Sequence, residues 1–469
     1  MAIVGAGITG LAAAHRLFEI SRDRRRALDV AIFESTNRAG GVIRSEHRDG
    51  FILDHGPDSF LSNKPAALAL SDRLGITPHV IGTREEFRRT YVAFDGHLHP
   101  LPDGFLLMAP TRLAPLATSS LFSLSGKLRM ALDLFLPTRQ KPDESLASFV
   151  GRRLGREALE RVAQPLVGGI YTADPSTLSL AATLPRFLEM EREHGSIIRA
   201  LRAEGRASAA TEKASGARWS LFSSFDQGME TLVESLRQHL PGDSFRFDRR
   251  VESVVETGHH WQIDGAGNYD AIVLAVPAPA AGRILRGVDA ALAADLEGIH
   301  YASSVVVNMA YPREAIPNPL DGFGFVVPHV EGRNIIACSY SSMKYAGRAP
   351  AGFALLRVFL GGSLRPDLTG LADSEIYRVA AAEMRDLLGI TCRPLFQSLA
   401  RYPNSMPQYE LGHLGRVARI EARAARHRTL QLAGNGYRGV GIPDCVASGE
   451  RAAEAVFSSL PQDTRAISK

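Results

Sequence analysis

The sequence has few cysteines, no long apolar run and little excess charge. Its 469 residues include three cysteines, Cys338, Cys392 and Cys445, and no CxxC pair. This pattern excludes a cysteine-rich zinc site or a disulfide framework and fits a reducing compartment. No run of 18 uncharged apolar residues occurs, so we predict no membrane-spanning helix. The formal net charge is +4, which gives no reason to expect nucleic-acid binding in so long a chain.

The composition is that of a folded globular protein. Hydrophobic residues make up 45% and charged residues 22% of the chain, which is enough apolar material for a large core. The length corresponds to about three domains of about 150 residues each. We find no fixed internal period, which excludes collagen, coiled-coil and solenoid architectures.

The start of the chain has the order strand, glycine turn, helix, strand. Ile3-Val4 is typical of a buried strand, Gly5-Ala6-Gly7-Ile8-Thr9-Gly10 follows, and Leu11 to Ile20 has a helical pattern. Asp29 to Phe33 is predicted as the second strand, with Glu34 at its end. Only four residues precede Gly5, so the sequence leaves open whether the natural chain starts earlier.

Each part of this pattern has a mechanical role in binding a dinucleotide. The first glycine permits a tight turn, the second lets the backbone approach a pyrophosphate, and the third lets helix and strand pack closely. The N-terminus of the helix offers free N–H groups to phosphates, and Glu34 can accept hydrogen bonds from a ribose. A purely structural turn with a solvated acid is the alternative.

The next two turns favour FAD over NAD. Arg38-Ala39-Gly40-Gly41 is a second glycine-lined turn close to Glu34, which suits the longer body of FAD. Gly56-Pro57-Asp58-Ser59 follows a predicted hairpin, and its small residues let the backbone approach a flavin ring. Arg38 is predicted to contact a phosphate, with a solvated surface arginine as the alternative.

Later segments predict a second sheet inserted into the first domain. Short strands are predicted between residues 244 and 276, with Val251 placed to pack on an adenine. Longer β runs follow at 303–310, 323–327, 334–340 and 353–360, and then a helix from about Asp373 to Leu388. Near the end, the predicted strand Thr429 to Ala433 leads into Gly434 and a helix opened by Pro443.

Six motifs spread over the whole chain resemble the FAD-dependent protoporphyrinogen and coproporphyrinogen oxidases of haem synthesis, a family within the amine-oxidase-like flavoproteins. The matching stretches are Ile3–Arg44, Gly56–Leu61, Gln164–Leu180, Phe225–Leu232, Tyr402–His413 and Leu432–Cys445. The first is shared by many flavoenzymes, whereas the last two and the Gly-Ile-Tyr run at 169–171 are much more specific.

The resemblance implies an α/β fold, with a Rossmann-like FAD-binding domain, an inserted α+β substrate domain and a helical subdomain. On this basis we expect the FAD-binding domain at 1–60, 216–285 and 401–469, the substrate domain at 61–82, 171–215 and 286–400, and the helical subdomain at 83–170.

The resemblance also implies which residues hold FAD. They are Gly5, Ala6, Gly7, Ile8, Thr9, Gly10, Glu34, Ser35, Arg38, Gly40, Gly41, Val42, Gly56, Pro57, Asp58, Ser59, Val251, Tyr402, Gly434, Gly441, Ile442 and Pro443. Two of them depart from the family pattern. Val42 stands where a basic residue is frequent, so a phosphate contact is lost there, and Tyr402 stands where a tryptophan is frequent.

The implied reaction is the oxidation of a porphyrinogen by three successive hydride transfers to flavin N5, with molecular oxygen as the acceptor. The cofactor carries the chemistry, so we predict neither a catalytic side chain nor a metal. The flat substrate needs an apolar slot with cations at its rim for the propionates. Lys64 is the predicted propionate partner, and Gly169, Phe325 and Tyr340 are predicted slot walls.

Several alternatives stay open at this point. Protoporphyrinogen IX and coproporphyrinogen III cannot be told apart, nor can the oligomeric state or the physiological acceptor be read. An amine oxidase or carotenoid-type desaturase of the same fold, and a flavin-free binding protein, are the competing functions. We expect a cytoplasmic protein with peripheral contact at the inner face of the membrane, through the apolar stretch 105–136, and hand-over of product to the next haem-pathway enzyme.

Overall fold

A computed structural model describes residues 1–106, 108–110, 113–139, 141–203, 221–258 and 260–460. The strands are β1 (Ala2–Val4), β2 (Ala31–Phe33), β3 (Ser45–Arg48), β4 (Phe51–Asp54), β5 (Phe60–Leu61), β6 (Val80–Gly82), β7 (Thr90–Phe94), β8 (His97–Pro100), β9 (Phe105–Leu106), β10 (Ala109–Pro110), β11 (Phe222–Phe225), β12 (Phe245–Arg246), β13 (Val254–Thr257), β14 (His260–Ile263), β15 (Gly267–Tyr269), β16 (Ile272–Leu274), β17 (Tyr301–Pro312), β18 (Gly324–Val326), β19 (Ala337–Tyr340), β20 (Phe353–Gly361), β21 (Phe396–Pro407) and β22 (Leu430–Leu432).

The α-helices are α1 (Ile8–Asp23), α2 (Pro65–Arg73), α3 (Leu113–Thr118), α4 (Leu124–Ala131), α5 (Leu146–Arg153), α6 (Arg156–Ala158), α7 (Gln164–Tyr171), α8 (Leu180–Thr183), α9 (Pro185–His194), α10 (197–203), α11 (Glu230–His239), α12 (Ala278–Leu285), α13 (Ala290–Glu297), α14 (Ser341–Lys344), α15 (Asp373–Leu388), α16 (His413–Ala424) and α17 (Ile442–Ser459). A π-helical turn, Leu159–Ala163, joins α6 to α7.

A five-stranded parallel sheet in the order β12-β2-β1-β16-β22 forms the centre of the first domain. Its strands come from the start, the middle and the end of the chain, and they are short and almost wholly apolar. Parallel strands are covered on both faces, which is why they are apolar throughout rather than alternating. The α/β fold class, with its parallel sheet assembled from distant segments, is confirmed.

Helices α1 and α17 cross on one face of this sheet at backbone contact. A Cβ atom placed on Gly449 of α17 would lie 2.2 Å from the carbonyl oxygen of Thr9. Only a glycine allows so close a crossing, and it brings the last helix of the chain against the first. The buried residues of α1 and α17 belong to a single hydrophobic cluster.

A seven-stranded sheet in the order β21-β17-β20-β19-β18-β7-β8 forms the second layer. One of its faces packs on α15, where Val305, Val307, Leu356 and Val358 meet Ile376 and its neighbours in one cluster. The opposite face points toward the first domain. The predicted helix at 373–388 is found with those bounds.

The helical region has different bounds from those expected. The hairpin around Asp95-Gly96 is β7–β8, which belongs to the seven-stranded sheet. Within the expected helical subdomain, the first α-helix that the structure describes is therefore α3. At the other end, α8, α9 and α10 share a core cluster with α5, so the helical layer extends past residue 170 and includes all the described residues of α10. Residues 204–215 of the expected second part of the substrate domain lie outside the described residues.

A buried ion pair stabilises this helical layer. The Arg153 guanidinium lies 2.5 Å from the Asp133 carboxylate, and both side chains are almost fully buried. Asp133 also accepts hydrogen bonds from the Ser196 hydroxyl and the Ile198 amide. Both charges are therefore paired and hydrogen-bonded, which is the condition for burying them. No helix in the described parts of the chain has the length and hydropathy needed to cross a bilayer.

The helix crossing predicts a large difference between two glycine substitutions. Gly449→Ala forces α1 and α17 apart and should lower the free energy of unfolding by about 1–3 kcal/mol or more. Gly415→Ala is the matched control, because no described atom lies within 4 Å of its Cβ position on α16. It should leave stability unchanged or raise it by up to about 1 kcal/mol. Thermal and urea unfolding measure both, and equal effects would contradict the proposed contact.

Candidate active site

The first glycine turn has the shape needed to hold a pyrophosphate. Gly5 has a φ of +101°, and a Cβ on Gly10 would lie 1.9 Å from the Gly5 carbonyl oxygen. Around Gly7, in contrast, no described atom lies within 4 Å of the Cβ position. The turn is thus closed where helix and strand meet and open at the N-terminus of α1, where an anion would bind.

Glu34 lies beside this turn, fixed by hydrogen bonds at the end of β2. Its carboxylate accepts from the Ala6 amide at 3.0 Å and from the Thr36 amide at 2.9 Å. The Ser35 hydroxyl is 3.3 Å from the same carboxylate. Val251 is buried in the cluster that contains Phe33, the last residue of β2. The predicted ribose and adenine contacts therefore lie at one end of the sheet.

Three backbone contacts form a continuous track from the first turn toward the second domain. The Gly40 amide donates to the Ala6 carbonyl at 2.8 Å, and the Cβ position of Gly41 is 3.3 Å from the Gly7 Cα atom. A Cβ on Gly56 would lie 1.8 Å from the Val42 carbonyl oxygen. The first turn thus contacts the second turn, and the second turn contacts the Gly56–Ser59 segment. This is the order in which the three segments were predicted to lie along the length of FAD.

Arg38 supports the second turn from within. Its guanidinium donates to the carbonyls of Gly41, at 2.7 Å, and Ile43, and forms an ion pair with Glu230 at 3.1 Å. The predicted phosphate contact by Arg38 stays a prediction.

The end of the chain joins the same site. Asp444 accepts from the Gly441 amide at the start of α17, and the Lys64 ammonium lies 2.8 Å from both Asp444 oxygens. The Gly434 amide, after β22, donates to Ser448. Lys64, predicted as a propionate partner, thus has an internal carboxylate partner here. Its role toward a substrate stays a prediction, since its side chain is still half exposed.

Two cross-strand rows line the face of the seven-stranded sheet that points toward the first domain. The registers place Ser339, Arg357, Asn308 and Ser398 side by side in a polar row. The neighbouring row is apolar and consists of Val326, Ala337, Phe359, Val306 and Ala400. Because side chains alternate along a strand, both rows share the face opposite to α15.

The polar row touches the Gly56–Ser59 end of the track. Arg357 donates to the Gly56 carbonyl, and Asn308 Nδ2 is 3.4 Å from the Asp54 carbonyl. Ser398 donates to Glu46. The flavin end of the predicted FAD site is therefore next to this sheet.

The sequence prediction that Phe325 and Tyr340 are slot walls is wrong. Phe325 is 2% exposed and Tyr340 1% exposed, and both belong to the cluster that packs on α15. The neighbouring residue Val326 has the opposite orientation, and the Cβ position of Gly169 on α7 lies 4.0 Å from its Cγ1 atom. A one-residue shift along β18 reverses the face that a side chain occupies.

Tyr402 lies on β21 opposite Ser304, on the same face as the two rows. Burial raises the pKa of its hydroxyl. The structure therefore brings Gly169 and Tyr402 to one side of the second sheet, together with the Gly56–Ser59 segment, and leaves Phe325 and Tyr340 on the other side.

Three charged side chains lie together at the Gly56–Ser59 segment, to which one of them, Asp58, belongs. Lys344 Nζ lies 2.9 Å and Arg357 3.5 Å from the same Asp58 carboxylate oxygen. Burial opposes ionisation of Asp58, but the nearby Lys344 and Arg357 charges hold its pKa well below the ordinary value. Sequence reasoning missed Arg357 and Asn308, although a lone charged residue in the apolar strand β20, and an amide within the apolar run Val305–Ala310 of β17, were usable signals.

The site fits a bound flavin nucleotide. Among the described residues, Arg357 Nε, Asn308 Oδ1 and His55 Nδ1 are buried and have no hydrogen-bond partner. Buried polar atoms normally have partners, and these three lie around the predicted flavin end of the track. The open cradle at Gly7 and the acid at Glu34 fit the rest of FAD. Within the described ranges, no group of three or more His, Cys, Asp or Glu residues is placed to hold a metal ion.

Comparison with known proteins agrees with this geometry. The family model of the flavin containing amine oxidoreductases matches residues 8–457. The chain is 32% identical over 467 residues to the coproporphyrinogen III oxidase of Bacillus subtilis (strain 168), covering 98% of both chains. It is 34% identical over 489 residues to the coproporphyrinogen III oxidase of Propionibacterium freudenreichii subsp. freudenreichii, covering 98% of this chain and 91% of the relative.

The crystal structure of a protein from Exiguobacterium sp. 255-15, named as a protoporphyrinogen oxidase, superimposes on this chain with a TM-score of 0.86. The two sequences are 27% identical, and the match covers 98% of each chain. The similarity extends over both domains and the helical layer, and therefore over every segment that forms the site. The protein is an FAD-dependent oxidoreductase, and the chain belongs to the family of flavin containing amine oxidoreductases.

Proposed function

We propose that this protein oxidises a porphyrinogen to the corresponding porphyrin in haem synthesis. The observation that carries the proposal is the end-to-end similarity to two coproporphyrinogen III oxidases. The partly exposed Phe359 and Ala400 of the apolar row, beside the flavin end of the site, also support it, because a flat macrocycle needs an apolar wall. When bound, FAD supplies the acceptor for hydride from the methylene bridges of the substrate.

The residues of this chain bind and orient the substrate. Phe359 offers apolar contact on the sheet. Gly169, exposed on α7, lies at van der Waals distance from Val326 at the edge of the same row. Lys64 is the proposed partner for a substrate carboxylate, which would compete with Asp444 for the ammonium. No side chain needs to act as a strong base, since the pyrrole N–H proton can pass to water.

Coproporphyrinogen III is the proposed first substrate, because both relatives above carry that name. It bears four propionates, whereas protoporphyrinogen IX bears two. Molecular oxygen is the proposed acceptor, and the product is proposed to pass to the next enzyme of the haem pathway in the cytoplasm.

Flavin reduction in the absence of oxygen tests the proposed reaction directly. The FAD-loaded protein, mixed anaerobically with coproporphyrinogen III, should lose its visible flavin absorbance within one turnover, and porphyrin fluorescence should appear only after oxygen is admitted, because the porphyrin requires three successive two-electron transfers. Protoporphyrinogen IX, assayed in parallel, should reduce the flavin more slowly. Bleaching by alkylamines with no reaction of either porphyrinogen would instead indicate an amine oxidase.

The proposed slot predicts the effect of a side chain at Gly169. Gly169→Leu should place a bulky side chain at the exposed edge of the apolar row, obstruct the approach of the macrocycle and lower kcat/KM for the porphyrinogen by at least about tenfold, while FAD stays bound. Gly151→Leu on α5 is the matched control, because within the described structure nothing lies within 4 Å of its Cβ position. Both changes replace a helical glycine and should raise helix stability by up to about 1 kcal/mol. A Gly169→Leu enzyme with unchanged kinetics would exclude this slot.

We also propose that α4 and the turn after it contact a membrane surface. Leu124 and Phe135 are 75% and 79% exposed, and Leu128 and Leu132 are also exposed. The three leucines recur every four residues and so share one face of a helix. Lys127 lies among them, which suits an anionic bilayer surface. Residues 107, 111 and 112 of the predicted contact stretch lie outside the described residues.

Vesicle sedimentation tests this contact. The protein should pellet with vesicles containing anionic phospholipid, and the triple variant Leu124→Ser, Leu128→Ser, Phe135→Ser should bind at least about tenfold more weakly, because burial of each apolar side chain contributes to adsorption. Leu395→Ser with Leu411→Ser is the control, since both leucines are exposed elsewhere. Equal losses in the two variants, or no binding by the unaltered protein, would refute the proposal.

A further inference from the structure

The buried cluster at the Gly56–Ser59 segment contains two positively charged side chains and one negatively charged side chain. Lys344 and Arg357 are both cations, and they share a single carboxylate, Asp58. The Lys344 side chain is 13% exposed and that of Arg357 4% exposed. Both side chains are thus largely shielded from water, and each lies against the same carboxylate.

Two carboxylates near this trio each have another side chain as a neighbour. Asp54 lies 3.3 Å from Arg348, and Glu46 lies 2.9 Å from His55. Asp54 also accepts from the Ser45 hydroxyl and the Met229 amide. Counted by itself, the trio of Asp58, Lys344 and Arg357 carries an excess of one positive charge.

The excess charge lies at the flavin end of the track. Of the two cations, Arg357 belongs to the polar row on the inner face of the seven-stranded sheet, and its guanidinium donates to the Gly56 carbonyl. Its Nε atom is buried with no hydrogen-bond partner in the described structure, as is Oδ1 of its cross-strand neighbour Asn308. An unpartnered donor on a buried cation indicates that a hydrogen-bond acceptor belongs there, and beside a cation an acceptor gains most when it carries negative charge.

We propose that Arg357, with its charge only partly balanced by Asp58, is the electrostatic partner of the reduced flavin. Two electrons and one proton convert the neutral oxidised ring into an anion, and a buried cation stabilises that anion more than the neutral ring. The trio thus makes the flavin easier to reduce. The proposal depends on the bound flavin and is independent of which substrate the protein oxidises.

The midpoint potential of the bound flavin tests this role without any porphyrinogen. Arg357→Met should favour the oxidised flavin about tenfold, which is about 30 mV for a two-electron couple. Asp58→Asn removes the balancing carboxylate and should shift the potential in the opposite direction. Arg357→Lys keeps the charge and should stay close to the unaltered protein. Dye-coupled anaerobic titration measures all three, and the affinity for sulfite, which forms an anionic flavin adduct, should change in the same order.

Arg401→Met is the matched control. Arg401 lies on the same seven-stranded sheet, on its other face, where it pairs with Asp373. Its removal changes the net charge equally but should not move the potential. Unfolding temperature and FAD content are measured for each variant, so that a folding defect is separated from a change in potential.

Three outcomes would overturn the proposal. The first is an unchanged potential and sulfite affinity in Arg357→Met, which would leave Arg357 a purely structural role. The second is a rise in KM for the porphyrinogen with no change in potential, which would assign the charge to a substrate carboxylate. The third applies if Arg357→Met does not fold. In that case, the proposal fails if the midpoint potential of the flavin in Asp58→Asn is equal to or lower than that in the unaltered protein. The first and third results do not bear on whether the enzyme oxidises a porphyrinogen, and the second presupposes that it does.

Discussion

Backbone lying directly against backbone is the contact on which the site depends. Gly56 packs on the Val42 carbonyl, Gly41 on Gly7, and Gly10 on Gly5. At Gly56 and Gly10 a side chain would overlap the neighbouring main chain, so these contacts exist only because glycine has no Cβ. Together they align the cofactor track with the inner face of the second sheet.

The same principle joins the two ends of the chain. The crossing of α1 and α17 at Gly449 places the start of α17 beside α2, where Asp444 meets Lys64. The site is therefore assembled from segments nearly the whole length of the chain apart. Its cofactor end is held by backbone contact, whereas its sheet end is held by side chains, chiefly the trio of Asp58, Lys344 and Arg357.

The charge distribution differs between these two regions. In the helical layer, Arg153 lies against Asp133 and, at 3.5 Å, Glu191. Glu191 also pairs with Arg152, so among these four side chains two cations meet two carboxylates. In the trio of Asp58, Lys344 and Arg357, two cations share one carboxylate. A fully balanced pair specifies packing, whereas an unbalanced buried charge creates a field that acts on whatever binds beside it.

Local patterns in the sequence were enough to predict the glycine turn with Glu34, the helix at 373–388 and the late strand before Gly434. Each depends on neighbouring residues alone, through turn geometry, helical periodicity or a short apolar run. The face of β18 was decided by the tertiary structure, because whether Phe325 or Val326 meets the site depends on where α15 packs. The partner of Lys64 and the position of Arg357 were likewise decided by folding, since ion pairs across hundreds of residues leave no local signal.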